Sequence, residues 1–356
     1  MIPASELRST LERLGFGPHF QAAFEEHAAE GLAPARVAVQ HRGAYVLYTE
    51  TGELPAEPSG RLRHDGVLPV SGDWVAYRAN PGGAPATIHA VLTRRTAVSR
   101  KVAWAAVEEQ VLAANIDFVF LVAALDGDLN LRRLERYLAT AWESGAEPVI
   151  ILSKSDLCAD VPERLAEVET VALGVPVHPL SCVTGDGIDE LRPYFAGNRT
   201  GALLGSSGVG KSTLINRLVG DDAIATQEVR SDGRGRHTTT TRELVLLPEG
   251  GLVLDTPGMR ELQLWDVGEG LGAAFEDVES LFGRCRFSDC THQREPGCAV
   301  KRALAEGTLD HARWQSYLKL QRELRALELK QDKRAKSEER KRWRQHSRAR
   351  RHPKRW

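Results

Sequence analysis

Gly205-Ser206-Ser207-Gly208-Val209-Gly210-Lys211-Ser212, followed by Thr213, lies between a short apolar run, Ala202–Leu204, and a helix-like stretch, Ser212–Leu218. Glycines at this spacing let a backbone wrap around a phosphate with its N–H groups turned inward. The N-terminus of the following helix adds a partial positive charge. A lysine and a serine at the end of such a loop complete the chemistry, the amine for the β- and γ-phosphates and the hydroxyl for magnesium. Downstream, Asp255-Thr256-Pro257-Gly258 closes a second apolar run, Leu252–Leu254. There Asp255 is placed to hold the same magnesium through water, and the N–H of Gly258 to meet the γ-phosphate.

The elements that read a base come earlier in the chain. Ser153-Lys154-Ser155-Asp156 follows the apolar run Pro148–Leu152, and Ser181-Cys182-Val183-Thr184-Gly185 follows Val175–Leu180. The Asp156 carboxylate can accept from N1–H and the 2-amino group of guanine, two donors that adenine lacks. A site built on such bonds discriminates by roughly 10⁴ or more. Lys154 would lay its stem along the base, and the backbone N–H at Ser181-Cys182 would reach O6. GTPases most often carry Asn where this chain has Ser153, and the shorter side chain can make only part of the contacts to loop and base. Phosphate loops usually precede base-reading elements; here the two halves have exchanged places. The order implies a circularly permuted GTPase.

Between the loop and Asp255 lies Gly233-Arg234-Gly235-Arg236-His237-Thr238-Thr239-Thr240-Thr241. One threonine of this stretch is expected to close onto magnesium when the γ-phosphate is present. The sequence does not choose among the four, and Thr239 is carried as the candidate. Met259 stands where many GTPases place a water-positioning Gln. A thioether cannot orient water, so unassisted turnover on the order of 10⁻³ s⁻¹ or below is expected, with a partner ordering the site. His237 is the nearest group able to position water, beside Lys211 at the phosphates.

Around this centre the texture changes twice. Residues 1–34 read as helical. From Arg36 to about Arg100, some five short alternating strands with turn signals at Arg42-Gly43, Thr51-Gly52 and Asn80-Pro81-Gly82-Gly83 suggest a small β-barrel. From Val111 the strands Phe118–Ala124, Pro148–Leu152, Val175–Leu180, Ala202–Leu204, Leu244–Leu247 and Leu252–Leu254 are apolar on both faces. That is the pattern of a mostly parallel sheet, with helices at Leu131–Glu143 and Ser212–Leu218. Beyond Leu262 helical patterns return, with Trp314, Tyr317, Leu318, Leu324 and Leu327 on one core-facing stripe. Within them Cys285-x4-Cys290-x-His292-x5-Cys298 supplies three thiolates and an imidazole, a full tetrahedral set for one structural zinc.

The chain has 356 residues, 42% hydrophobic and 27% charged, with a formal net charge of −1. The tail Gln331–Trp356 holds 12 Lys and Arg against 3 Asp and Glu, leaving the rest at −10. An acidic body with a basic tail points to a polyanionic partner for the tail, a solvated end being the plain alternative. Trp343, Trp356, His346 and His352 among the arginines suit stacking on unpaired bases. No apolar run approaches the roughly 20 residues of a membrane span, and no secretory signal is read at Met1. A cytoplasmic protein without membrane contact is expected.

Together these features resemble the RsgA family, also known as the YjeQ or YloQ type. They are Gly72-Asp73-Trp74-Val75, the permuted motifs, Arg236-His237-Thr238-Thr239-Thr240, the Cys/His clip and Glu295-Pro296-Gly297-Cys298. The resemblance implies a multidomain α/β protein. Its parts would be a helical extension (1–34), an OB-fold barrel (35–100), a permuted P-loop GTPase domain (101–265), a helical zinc-binding domain (266–330) and the basic tail (331–356). It also implies a late role in maturing the small (30S) ribosomal subunit, contact with its rRNA, stimulation of GTP hydrolysis by the subunit, and His237 as the catalytic histidine. A monomer is expected. Two alternatives remain open at this level: an RNA-binding scaffold holding GTP without turnover, and an ATP-using kinase, with which Asp156 conflicts.

Overall fold

A computed structural model describes residues 10–41, 43–101, 109–220, 242–255 and 268–326. The expectations for His237, Thr239, Gly258, Met259 and the basic tail fall outside the described residues. The chain divides into two compact units, residues 1–99 with 111–262, and residues 100–110 with 263–356.

In the first unit, helix α1 (Pro18–Ala29) precedes five barrel strands, β1 (Ala33–Gln40), β2 (Tyr45–Thr49), β3 (Gly52–Pro58), β4 (Trp74–Arg78) and β5 (Ala86–Val91). Neighbours run β1-β2-β3-β5-β4, and β4 pairs back onto β1 from Ala33↔Tyr77 to Arg36↔Trp74. The sheet is thereby closed. Alternation along β2 turns Tyr45 and Leu47 into a core with Val37, Val75 and Ile88. A short helix, α2 (Gly60–Asp65), covers it, capped by the Ser59 hydroxyl accepting from Leu62 N. The N-terminal extension has a packing role, since Phe16 and Phe20 lie 4.7 and 5.8 Å from the buried ring of Trp74. Beside it Asp73, wholly buried, takes a bidentate pair from Arg94 at 2.8 Å for each bond. Gly72 has φ +92°, and a Cβ there would sit 2.2 Å from the carbonyl oxygen of Ala114. No other residue allows that approach.

After a two-stranded ribbon, β6 (Ala97–Lys101) and β7 (Glu109–Ala114), the nucleotide-type sheet begins. Its elements are β8 (Phe118–Ala124), α3 (Leu131–Glu143), β9 (Glu147–Ser153), α4 (Val161–Glu169), β10 (Val177–Pro179), β11 (Thr200–Gly205), α5 (Lys211–Val219), β12 (Arg242–Leu246) and β13 (Leu252–Asp255). The order is β10-β9-β8-β11-β13-β12, parallel throughout except for β12. Strands β8 and β9 are apolar on both faces because helices flank the sheet. Strand β12 then pairs antiparallel with barrel strand β1, Val39 opposite Glu243 and Gln40 opposite Arg242, and the Tyr48 hydroxyl donates to Leu244 O at 3.0 Å. The barrel and the nucleotide-type sheet thus form one eleven-stranded ladder.

In the second unit helices form at α6 (Gly268–Ala274), a turn at Glu276–Glu279, α7 (Ala299–Glu306) and residues 311–326, with the cysteine-bearing stretch 285–298 irregular between them. Trp314, Tyr317 and Leu324 are buried as their spacing predicts. Arg313, 4% exposed, is held by both oxygens of Asp277 at 2.6 and 2.7 Å and by Ala274 O. Among the described residues no helix is long and apolar enough to cross a membrane.

Candidate nucleotide site and Cys/His clip

Parallel strands deliver their C-terminal ends to one side of the sheet, where ligands of such folds bind. Here that side receives the phosphate loop after β11, Ser153 after β9, Ser181 after β10, Asp126 after β8 and Asp255 at the end of β13. The exchanged order in the chain leaves this gathering intact, because spatial strand order rather than sequence order sets it.

The loop starts at Gly205, where a Cβ would come within 2.3 Å of Val122 O on the neighbouring strand. It turns through Gly208 (φ +80°) and Gly210 (φ +95°), the latter being the N-cap of α5. Between them Val209, 1% exposed, anchors the loop in the core below. The Lys211 amine folds back over the loop and donates to the carbonyl oxygens of Gly205 at 2.8 Å and Ser206 at 2.6 Å. Ser212 and Thr213 occupy the first turn of α5, and Asp255 is buried.

The segments expected to read a base are latched to each other and to the loop. The Ser153 hydroxyl donates to Val209 O at 2.6 Å. Lys154 has a left-handed backbone, φ +59°, unusual for a residue with a Cβ, and its amine pairs with Asp126 at 2.5 Å. Ser155 N donates to Leu180 O at 3.1 Å. The Ser181 hydroxyl donates to Asp156 Oδ1 at 2.5 Å and accepts from Val183 N and Thr184 N at 3.1 and 3.2 Å. Arg217 of α5 donates to Cys182 O at 2.8 Å, joining the phosphate-loop helix to the second base-reading segment. Burial pushes the Cys182 thiol upward, so it behaves as a small neutral residue. Asp126 and Arg217 were missed by sequence reasoning. Neither lies in a motif of its own: Asp126 directly follows β8, and Arg217 is a single charge near the end of α5.

In the second unit the ligand atoms of Cys285, Cys290, His292 and Cys298 all lie within 4.8 Å of one another. His292 Nδ1 is 3.6 Å from Cys285 Sγ and 3.5 Å from Cys298 Sγ. Tetrahedral zinc, with bonds of about 2.3 Å to sulfur and about 2.0 Å to nitrogen, sets those edges at about 3.5 Å. The four residues therefore fit a zinc site. Partial burial and the adjoining thiols of Cys298 and Cys285 push the Cys290 thiol up to about 11, so a bound cation would be what favours its thiolate. The imidazole is fixed by Phe282 stacked at 4.4 Å and by Trp314 edge-on at 6.0 Å. Glu295 pins the intervening loop, accepting from Thr291 Oγ1 at 2.5 Å and from the backbone N–H groups of Thr291, Gln293 and Arg294. These bonds, that of the Thr291 hydroxyl foremost, hold its carboxyl at about 2.

The RsgA GTPase family model matches residues 91–265. A small ribosomal subunit biogenesis GTPase RsgA of Opitutus terrae is 53% identical over 328 residues, covering 88% of this chain and 89% of the relative. The chain belongs to the RsgA GTPase family. Another RsgA of that description, from Streptomyces coelicolor, is 45% identical over 94% of this chain and 92% of its own length. Among solved structures, YjeQ from Thermotoga maritima superposes with a TM-score of 0.62 at 29% identity, over 82% of this chain and 98% of its own. YloQ, described as a circularly permuted GTPase, shares the fold with a TM-score of 0.59 at 24% identity, over 83% and 96%. The permuted order, the closed barrel and the Cys/His clip are thus features of an RsgA-family fold.

Proposed function

We propose that this chain is a GTP-hydrolysing assembly factor for the small ribosomal subunit, docking on rRNA late in maturation and leaving once GTP is hydrolysed. The observation that carries the reading is the latch between Asp156 and Ser181, which fixes a carboxylate on the segment that Ser153 ties to the loop at Val209. One Asp156 oxygen accepts from Ser181, and the lone pairs that remain suit the two adjacent N–H donors of guanine. The backbone around Cys182 reads O6. The loop Gly205–Gly210 wraps the phosphates, and Lys211 exchanges its carbonyl partners for β- and γ-phosphate oxygens. Ser212 and Asp255 are the residues that would hold magnesium, which when bound neutralises charge on those phosphates. Thr239 and Gly258 sense the γ-phosphate, and His237 orients water.

Zinc in the clip is structural, since four protein ligands leave no position for a reactant. Barrel, zinc-binding domain and basic tail, divided at about residues 100, 265 and 330, supply the rRNA contacts of a monomer working in the cytoplasm. The test is GTP and ATP hydrolysis with and without purified small subunits. Stimulation of GTP turnover by the subunits is expected. GTP binding with no turnover in any condition would instead make the protein a scaffold, and ATP turnover would overturn the base assignment.

A further inference from the structure

Ser153 is 3% exposed at the end of β9, where the base-reading segment meets the phosphate loop. A hydroxyl carries one proton. Val209 O lies 2.6 Å from Ser153 Oγ, and Ala123 O is a distant second at 3.4 Å. A carbonyl cannot donate, so the direction of the short bond is fixed and the proton is committed to the loop. Only lone pairs remain on Oγ. The neighbouring Ser181 hydroxyl is committed in the same way, its proton lying on Asp156 Oδ1. Guanine presents N7 and O6 side by side, and both are acceptors. The backbone of the second base-reading segment can serve O6, but neither serine has a proton left for N7. An asparagine in place of Ser153 carries two amide protons, enough for the loop carbonyl and the base together.

We propose that Ser153 spends its proton on the phosphate loop and leaves N7 of bound guanine without a donor from this position, so that GDP is held less tightly and leaves faster than with asparagine there. The inference deepens the base-reading assignment above and rests on it. One neutral hydrogen bond forgone corresponds to about tenfold in affinity.

The probe is 7-deaza-GDP, in which N7 is replaced by C–H, compared with GDP and ADP on the full-length protein by competition against a fluorescent GDP. The wild-type protein is expected to bind GDP and 7-deaza-GDP within about twofold of each other. Ser153→Asn is expected to bind GDP about tenfold more tightly, release it correspondingly more slowly, and lose that gain on 7-deaza-GDP. A wild-type protein that loses about tenfold on 7-deaza-GDP overturns the inference. So does a Ser153→Asn protein that melts like wild type and gains nothing. Should that variant fold poorly, the wild-type comparison decides alone. ADP separates the two levels: equal binding of ADP and GDP removes the base-reading assignment itself. A preference for GDP combined with N7 dependence in the wild type removes only the role given to Ser153.

Discussion

The nucleotide site and the Cys/His clip treat their polar groups in opposite ways. Around the loop, four of the side chains proposed to meet the nucleotide have a protein partner at hand: Lys211 on two loop carbonyls, Lys154 on Asp126, Asp156 on Ser181, Ser153 on Val209. In the clip, one ring nitrogen of His292 faces two sulfurs at 3.5 and 3.6 Å, and a single proton cannot serve both. Groups that would meet a substrate only part of the time keep protein partners between visits, and Ser153, the buried one of the four, would cost about 1–3 kcal/mol if orphaned. A resident ion requires the reverse. The four residues of the clip fit an ion between them, and their N···S distances are those that a shared zinc would set.

Removing Cys298 strikes at the more one-sided arrangement and should have the largest effect. Cys298→Ala is expected to reduce bound zinc from one per chain to well below it and to unfold the helical unit, a structural zinc being worth on the order of 10 kcal/mol. Metal analysis and circular dichroism check this, and an unchanged melt with unchanged metal content would remove the contrast. Lys211→Ala should lower GTP affinity about a hundredfold or more, since charge-assisted bonds to phosphate are lost. Stability, read by thermal melt, should fall less than affinity, because the carbonyls of Gly205, at the end of β11, and half-buried Ser206 lose a donor. A protein destabilised as much as it is weakened would show a structural lysine and erase the difference between the two sites. Ser181→Ala sharpens the comparison at its smallest scale. It takes one donor from Asp156 and an acceptor from Val183 N and Thr184 N, so guanine affinity should fall about tenfold with about 1 kcal/mol of stability. Nucleotide titration and a urea melt separate the two effects.

Sequence alone carried much of the fold because its signals are local. Helix α3 spans Leu131–Glu143 as its pattern predicts, and the apolar runs of the nucleotide-type sheet became strands within a few residues of their predicted bounds. Strand β3 was not individually legible. Gly52–Pro58 carries Pro55 and Pro58, which read as breakers, yet a closed barrel gives the stretch partners on both sides in β2 and β5. Helix α4 opens on Asp160 as N-cap with Pro162 in its first turn, but its apolar positions are sparse, and only Val168 is buried. In the site, the residues proposed from spacing, among them Ser153, Asp156, Ser181, Lys211 and Asp255, lie at the C-terminal ends of the parallel strands or in the segments that follow them. What could not be read were contacts between distant segments: Lys154 with Asp126, Arg217 with Cys182, and the proton of Ser153 on Val209. Each depends on where strands end in space, and neither periodicity nor spacing carries that information.

Sheets end in strands whose outer N–H and C=O groups invite pairing with any other chain. The pairing of β12 with β1 removes that hazard at one end of the long ladder, because the strand that would have been the rim leads into a barrel closed on itself. At the other end stands β10, three residues long and finishing on Pro179, which has no N–H to offer. Among the described residues β10 is thus the terminal strand of the ladder that pairs on one side alone. At the opposite end the barrel covers the start of β12, an edge that would otherwise lie open to a second chain.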